Sequence, residues 1–413
     1  MVSQSTYDGD KPIVNLWFKE QWLINNSSYV YEFQGKEVAQ SYFNMLQNLL
    51  ILQLKNFCTI NIKNLGKNPV DNSTINICPI VCPDLSSLKY HIENLDYDLY
   101  NTCAENNIIY FLGLMREHLE IETVGVKSIQ QLIQNNIVDK GCSPKHLKIY
   151  HLGYEIPPEL TAYKDYIVSV DSCNRLLADA TTTKITNNLP LDRTYNFSVL
   201  AGSLRDRHYR CIFLARCKDL DILNDNFFYT MVMNNRADDL QSIKDHFSDN
   251  YNLYGSIVSK YCDTLFYNKT YDKDGNLLVN KTVYNDNIEF DVPKQVLDSY
   301  VHVVLETQFN SPSITEKIYK PLMVGLPFIW HGPQNVLPYL TSLGYKKYKH
   351  IDYSFDAHPD PTVRMDLLIQ EVQRLGKKDL RSLVKLNQDI SEHNRKHFWN
   401  TVNNYNDLWN QLK

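Results

Sequence analysis

Glu306, Glu316 and Lys317 fall close together in a stretch, Tyr300 to Tyr345, whose other residues are largely apolar or turn-forming. Val301 to Leu305 reads as a buried strand that delivers Glu306 at its carboxyl end. A short loop with Asn310, Ser311 and Pro312 follows, and a helix opens at Ser313 or Thr315, where Ser313-x-x-Glu316 has the spacing of a capping box. Gly325 suits the end of that helix. Leu326 to Trp330 reads as the next strand, and His331-Gly332-Pro333 as the turn that closes it. The chemistry this order suits is capture of a nucleotide diphosphate. Open α/β sheets bind ligands beyond the carboxyl ends of their strands, and a helix N-terminus there offers backbone N–H groups and a positive dipole to phosphate oxygens. Lys317 would add a full positive charge against a leaving diphosphate, and Glu316 would accept hydrogen bonds from ribose hydroxyls while serving the cap. The competing reading makes both ordinary solvent-facing helix residues, and spacing alone does not separate the two.

The elements that must position these residues alternate between strand and helix. In the first half, Ile13 to Phe18, Ile75 to Val81, Ile108 to Leu112 and Leu147 to Leu152 read as strands, and Val38 to Leu54 and Val126 to Val138 as helices. Short strands interleaved with helices predict parallel sheets covered on both faces. Ala180 to Asp192 is polar, rich in threonine and asparagine, and reads as an interdomain linker. The pattern then restarts with a strand at Tyr195 to Ala201, a helix at Arg207 to Leu220, a strand at Phe227 to Val232 and a helix at Asp238 to Phe247. Leu265 to Phe290 breaks the rhythm with two β-prone runs around Asp274-Gly275, a hairpin signal. The aspartates there lack the third acidic position and the distal glutamate of a calcium loop. The closing helix lines up Phe398, Val402, Tyr405, Leu408 and Leu412 as a packing stripe.

Composition narrows the function classes. A chain of 413 residues is long for one core, which favours two domains. Its net charge of −5 argues against affinity drawn mainly from phosphate backbones, although basic residues cluster at Lys140 to Lys148 and Arg205 to Arg210. No apolar run approaches the roughly 18 residues of a membrane span, and the N-terminus lacks the basic and apolar regions of a signal peptide. A cytoplasmic protein is the expectation. The nine cysteines are scattered, with Cys78 and Cys82 four apart and Cys211 and Cys217 six apart, so buried thiols are expected rather than a zinc site. Sequons at Asn25, Asn26, Asn72, Asn196, Asn268 and Asn280 are those expected by chance in so asparagine-rich a chain.

Glu306, then Thr315-Glu316-Lys317, then the run from Gly325 through Gly332-Pro333 resembles the signature of the α1,3-fucosyltransferase-like family and its bacterial, phage and giant-virus relatives. Glu316, Lys317, Lys320 and Pro321, followed by Tyr339, Leu340, Gly344 and Tyr345, also resemble a pattern in uncharacterised viral proteins. The likeness covers this stretch well, the rest of the C-terminal half loosely and the first half not at all. It implies an α/β chain of the GT-B class, two Rossmann-like domains facing a cleft, with the β-hairpin as an insertion in the second. It implies an inverting hexosyl or pentosyl transfer that needs neither a metal nor a prosthetic group. It places Glu316 on the ribose, Lys317 on the diphosphate and Glu306 near the donor sugar, with Thr315 beside them. In such enzymes a glycine-ended strand followed by arginines opens the donor lobe. Gly202 to Arg210 fits that description, with Arg205 the first choice for the diphosphate, Arg207 the second and Arg210 a solvated helix residue. A forked guanidinium is well shaped for that task. Thr307 stands where the family has asparagine, which leaves the donor open between a GDP-sugar and a UDP-sugar.

An inverting transfer also needs a general base for the acceptor hydroxyl. Glu117 and His118 are the leading candidates, with Glu20 and Glu155 as alternatives. The domain reading that follows is an acceptor domain over 1–185, a donor domain over 186–394 and a C-terminal helix over 395–413. The expected reaction moves a sugar from a nucleotide-sugar to a glycan hydroxyl. Two alternatives stand beside it: transfer to a hydroxymethylated base of viral DNA, with the chain then in the host cytoplasm, and a catalytically silent GT-B scaffold that binds nucleotide or glycan.

Overall fold

The computed structural model describes residues 13–18, 59–64, 74–82, 85–114, 129–152, 156, 158–170, 188–201, 208–231, 260, 292–306 and 314–402. The chain divides into two compact units, one chiefly of Met1–Ser172 and one of Cys173–Asn310 with Ile314–Val402. The expected helices at Val38 to Leu54 and Asp238 to Phe247 and the hairpin within Leu265 to Phe290 lie outside the described residues.

The first unit is built on six strands: β1 (Ile13–Phe18), β2 (Thr59–Asn64), β3 (Ile75–Cys82), β4 (Ile109–Leu114), β5 (Leu147–Leu152) and β6 (Ile167–Val170). All pair in parallel, in the order β2-β1-β3-β4-β5-β6. Central parallel strands are covered on both faces, so they bury consecutive rather than alternating side chains. Asn76 to Ile80 and Tyr110 to Leu112 are buried without a break. Pro79 sits inside β3, a position that cannot donate to a ladder. It is tolerated because the pairing of β1 with β3 runs only from Val14↔Ile75 to Leu16↔Ile77 and has ended before the proline. The same place is where the strand order reverses.

Helices α1 (Leu85–Glu93) and α2 (Tyr97–Glu105) connect β3 to β4. The Asp96 carboxylate caps α2 by accepting from Leu99 N at 2.9 Å. The helix expected at Val126 to Val138 is α3 (Ile129–Ile133), which widens into a π turn over Gln134–Val138. A 3₁₀ segment at Pro158–Tyr166 leads into β6.

The second unit holds β7 (Tyr195–Ala201), α4 (His208–Asp219), β8 (Phe227–Met231), a short α5 (Lys294–Leu297), β9 (Ser299–Leu305), α6 (Glu316–Val324), β10 (Phe328–His331) and α7 (Val336–Ser342). These are followed by α8 (Pro361–Gly376), α9 (Leu380–Leu386) and α10 (Gln388–Val402). Its sheet is again parallel, in the order β10-β9-β7-β8, so the order reverses between β7 and β9. Helix α6 is held down by α10: Tyr319 packs on Phe398 with ring centres 6.3 Å apart, and Trp399 donates to Met323 O at 3.2 Å. Gly325 ends α6 with φ at 71°, and a Cβ there would lie 2.6 Å from Ser391 O, so both conformation and space require glycine.

Candidate functional site

The site is assembled where β7 and β9 separate. Glu306 follows β9 directly and is 1% exposed. One carboxylate oxygen accepts from Thr315 N at 2.9 Å and the other from Thr315 Oγ1 at 2.6 Å. Thr315 is the N-cap of α6, and its Oγ1 in turn accepts from Lys317 N and, at 3.1 Å, from Lys317 Nζ. Lys317 Nζ also pairs with Glu316 Oε1 at 2.7 Å. A buried carboxylate, a capping hydroxyl and an ammonium thus form one chain ending in a second carboxylate.

Of the two starts the sequence offers for this helix, the structure takes Thr315. The helix opens at Glu316 with Thr315 as its cap, so Glu316 is in the first helical position and cannot close a capping box with Ser313. The N–H groups of Thr315 and Lys317 are donated within the protein, to Glu306 and to the Thr315 hydroxyl. Lys317 and Glu316 are also not solvent-facing: their side chains are 24% and 14% exposed.

Electrostatics tie the group together. Burial raises the pKa of Glu306, with Lys317 and the Thr315 hydrogen bonds opposing that rise. Burial also works against the charge of Glu316, but Lys317 and the buried Lys320 outweigh it and bring its pKa to about 2. Lys317 is pulled the other way. Burial would lower it, yet Glu316 and Glu306 leave it above the ordinary lysine value.

The floor beneath comes from two residues that sequence reasoning did not assign to the site. Tyr209 and Arg210, in the first turn of α4, grip the end of β9: the Tyr209 hydroxyl donates to Glu306 O, and Arg210 donates to Leu305 O at 3.2 Å. Arg210 is fully buried, which corrects its reading as a solvated helix residue. Adjacency to Arg205 and Arg207 is the one sequence signal that points to it. His331, at the end of β10, stacks on Tyr209 with ring centres 5.5 Å apart, and burial lowers its pKa to about 4. Gly332 follows, where a Cβ would press on Glu306 Cβ and Cγ at 3.0 Å. Asp356, also buried, accepts from Trp330 Nε1, Val336 N and Leu337 N, so the N-terminus of α7 has its own internal anion.

Arg205, Arg207, Glu117, His118, Glu20 and Glu155 all lie outside the described residues. Of the sequence-predicted site, the structure therefore brings together Glu306, Thr315, Glu316 and Lys317. Among the described residues, no three His, Cys, Asp or Glu side chains gather as metal ligands, and Cys78, Cys82, Cys103, Cys142, Cys211 and Cys217 are buried thiols. No described helix is long and apolar enough to cross a membrane.

No family model matches the chain, and no curated protein matches it. Its structure is similar to a solved structure described as a crystal structure of alpha1,3-fucosyltransferase, with 12% identity, a TM-score of 0.40, and coverage of 98% of this chain and 92% of that one.

Proposed function

We propose that the chain is an inverting glycosyltransferase of the GT-B class, taking a GDP- or UDP-sugar as donor and a glycan hydroxyl as acceptor. One observation carries the reading: the Glu306–Thr315–Lys317–Glu316 chain sits at the reversal of strand order between β7 and β9. A reversal of this kind is where open parallel sheets bind nucleotides. The motif resemblance at the same residues supports it. In this mechanism a bound donor separates Lys317 from Glu316. Lys317 then faces the diphosphate and Glu316 the ribose hydroxyls, while Glu306 holds Thr315 and with it the start of α6. Glu306 thereby acts as a positioning residue for the donor sugar's surroundings.

The acceptor oxygen attacks the anomeric carbon as the bond to the diphosphate oxygen breaks, which inverts that carbon. Lys317, with Arg205 or Arg207, stabilises the charge arriving on the diphosphate, and the acceptor proton passes to a base from the acceptor domain. Neither a metal nor a prosthetic group is required in this scheme. Glu117, His118, Glu20 and Glu155 are the candidates for the base. The test is a thermal-shift and hydrolysis screen with GDP-, UDP-, CMP- and dTDP-sugars on the wild type and Lys317→Ala. Stabilisation by one nucleotide family, lost in the variant, is the expected result. No response to any donor would overturn the proposal in favour of a silent scaffold, and turnover only with hydroxymethylated DNA would replace the acceptor.

A further inference from the structure

The first unit carries a groove of about 370 Å³ at the amino-terminal ends of β5 and β6, rimmed by Lys145, Lys148, Lys164 and Asp165 and floored in part by Ile167 and Val168. Open parallel sheets bind their substrates at the opposite strand ends, so this groove is separate from any acceptor pocket on the same sheet. Among the described residues none of its three amines forms an ion pair. Unpaired lysines occur elsewhere among the described residues too, Lys218, Lys294 and Lys385 included, so what marks the groove is that three amines meet around one concavity.

Lys148 shows how the groove is held. Its stem is half-buried, and Nζ donates to the backbone carbonyl of Asp165 at 2.6 Å. That contact aims the ammonium without neutralising it. Burial lowers its pKa, with the nearby Asp165 charge acting the other way. Lys145 and Lys164 are exposed on either side and make no side-chain hydrogen bond among the described residues. Three ammonium groups against the single Asp165 carboxylate leave the concavity net positive, and a multiply charged anion seated among them would relieve the repulsion between the amines while gaining charge-assisted hydrogen bonds. The bounded size and the net charge of −5 for the whole chain favour a small ligand over a long polyanion.

We infer that this groove is an anion-binding site for a small ligand bearing two or more phosphate charges, with Lys148 as its anchor and Lys145 and Lys164 as its rim. The inference is independent of the donor-site reading, and the experiment keeps the two apart by using the full chain with Lys317→Ala. Calorimetric titration of that protein with inorganic pyrophosphate at low ionic strength is expected to show one saturable site. Lys148→Ala and Lys164→Ala, each added to it, are expected to weaken binding about five- to tenfold, and Lys349→Ala, removing an ion-paired lysine remote in sequence, less than about twofold. Because Lys148 also props the Asp165 carbonyl, Lys164→Ala supplies the variant whose folding is not at stake. Inorganic phosphate is expected to bind more weakly than pyrophosphate. Absence of binding in the Lys317→Ala protein would overturn the inference, as would binding indifferent to all three lysines. An oligonucleotide that binds more tightly than pyrophosphate and displaces it would overturn the small-ligand assignment in favour of a nucleic-acid surface.

Discussion

The carboxyl end of β9 and the groove at the amino ends of β5 and β6 both concentrate positive charge, and they treat it in opposite ways. At β9, Lys317 is clamped between Glu316 and the Thr315 hydroxyl, Lys320 is buried, and Arg210 is inserted beneath the strand end. In the groove, Lys145, Lys148 and Lys164 form no ion pair among the described residues although Asp165 stands nearby, and only Lys148 is anchored, by a neutral carbonyl. A paired cation is already positioned, so a ligand must displace its partner, and selectivity comes from what the displaced carboxylate then binds. An unpaired cation keeps its full charge for an incoming anion but discriminates mainly by charge and size. The first arrangement suits a reaction that must orient a ribose and a diphosphate together. The second suits retention of a small anion.

The largest expected effect falls on Lys317. Lys317→Ala is expected to lower turnover of the nucleotide-sugar by about 10²–10³-fold, the scale for loss of a preorganised charge at a leaving group, with a lowered melting transition because Glu316 loses its partner. Steady-state kinetics beside a thermal melt would check this, and a turnover within threefold of wild type would break the contrast between the two sites. Glu306→Ala strikes the support rather than the charge. It strands Thr315 N and Oγ1 in a buried setting, so a loss of about 2–3 kcal/mol in urea unfolding is expected, with Glu306→Gln recovering part of it.

Acid should expose the same region. His302 and His331 are buried in the second unit, and burial holds them at about 3 and about 4. Both remain neutral in the native state while the unfolded chain protonates near its ordinary value of about 6.5. Their folded pKa values are depressed, so stability is expected to fall as pH drops below about 6.5, by about 1.4 kcal/mol per pH unit for each histidine. Glu316 has the same sign at lower pH: its folded pKa is also depressed, so its contribution is present above the ordinary carboxylate range and is lost as pH falls through about 2. Urea unfolding at pH 7 and pH 5 for the wild type and His302→Gln measures the slope, and an unchanged slope in the variant would refute the assignment. The smallest effect sharpens the comparison most. Glu316→Gln frees Lys317, so inorganic pyrophosphate is expected to bind a few-fold more tightly, whereas the nucleotide-sugar, deprived of its ribose partner, binds a few-fold more weakly. Parallel changes in the two affinities would show that Glu316 serves only the ion pair.

Much of the second unit is legible in the sequence. Tyr195 to Ala201, Val301 to Leu305 and the helix ending at Gly325 are announced by apolar runs and a terminal glycine, and β7, β9 and α6 follow them closely. These signals are local, since a cap or a buried strand depends on a few adjacent residues. The same local logic places β1, β3, β4 and β5, but it does not reach β2, α1 or α2. Thr59–Asn64 alternates but has only Ile60 and Ile62 as apolar residues, and the two short helices carry few apolar positions apiece, with Leu99, Tyr100 and Cys103 buried in α2.

Local pattern alone is enough to establish parallel α/β elements and to set Glu306, Thr315, Glu316 and Lys317 at the end of a strand and the start of a helix. What those residues face depends on tertiary pairing. The pairing of β9 with β7 brings Tyr209 against Glu306 across 97 residues of chain, turns Arg210 from a surface residue into a buried one, and gives the helix cap to a carboxylate from the preceding strand. It likewise gathers Lys164 beside Lys145 and Lys148 through the adjacency of β5 and β6. Strand order is set by hydrogen bonds between segments far apart in sequence, and side-chain burial by which layer those strands attract. Neither leaves a mark in any short window of residues.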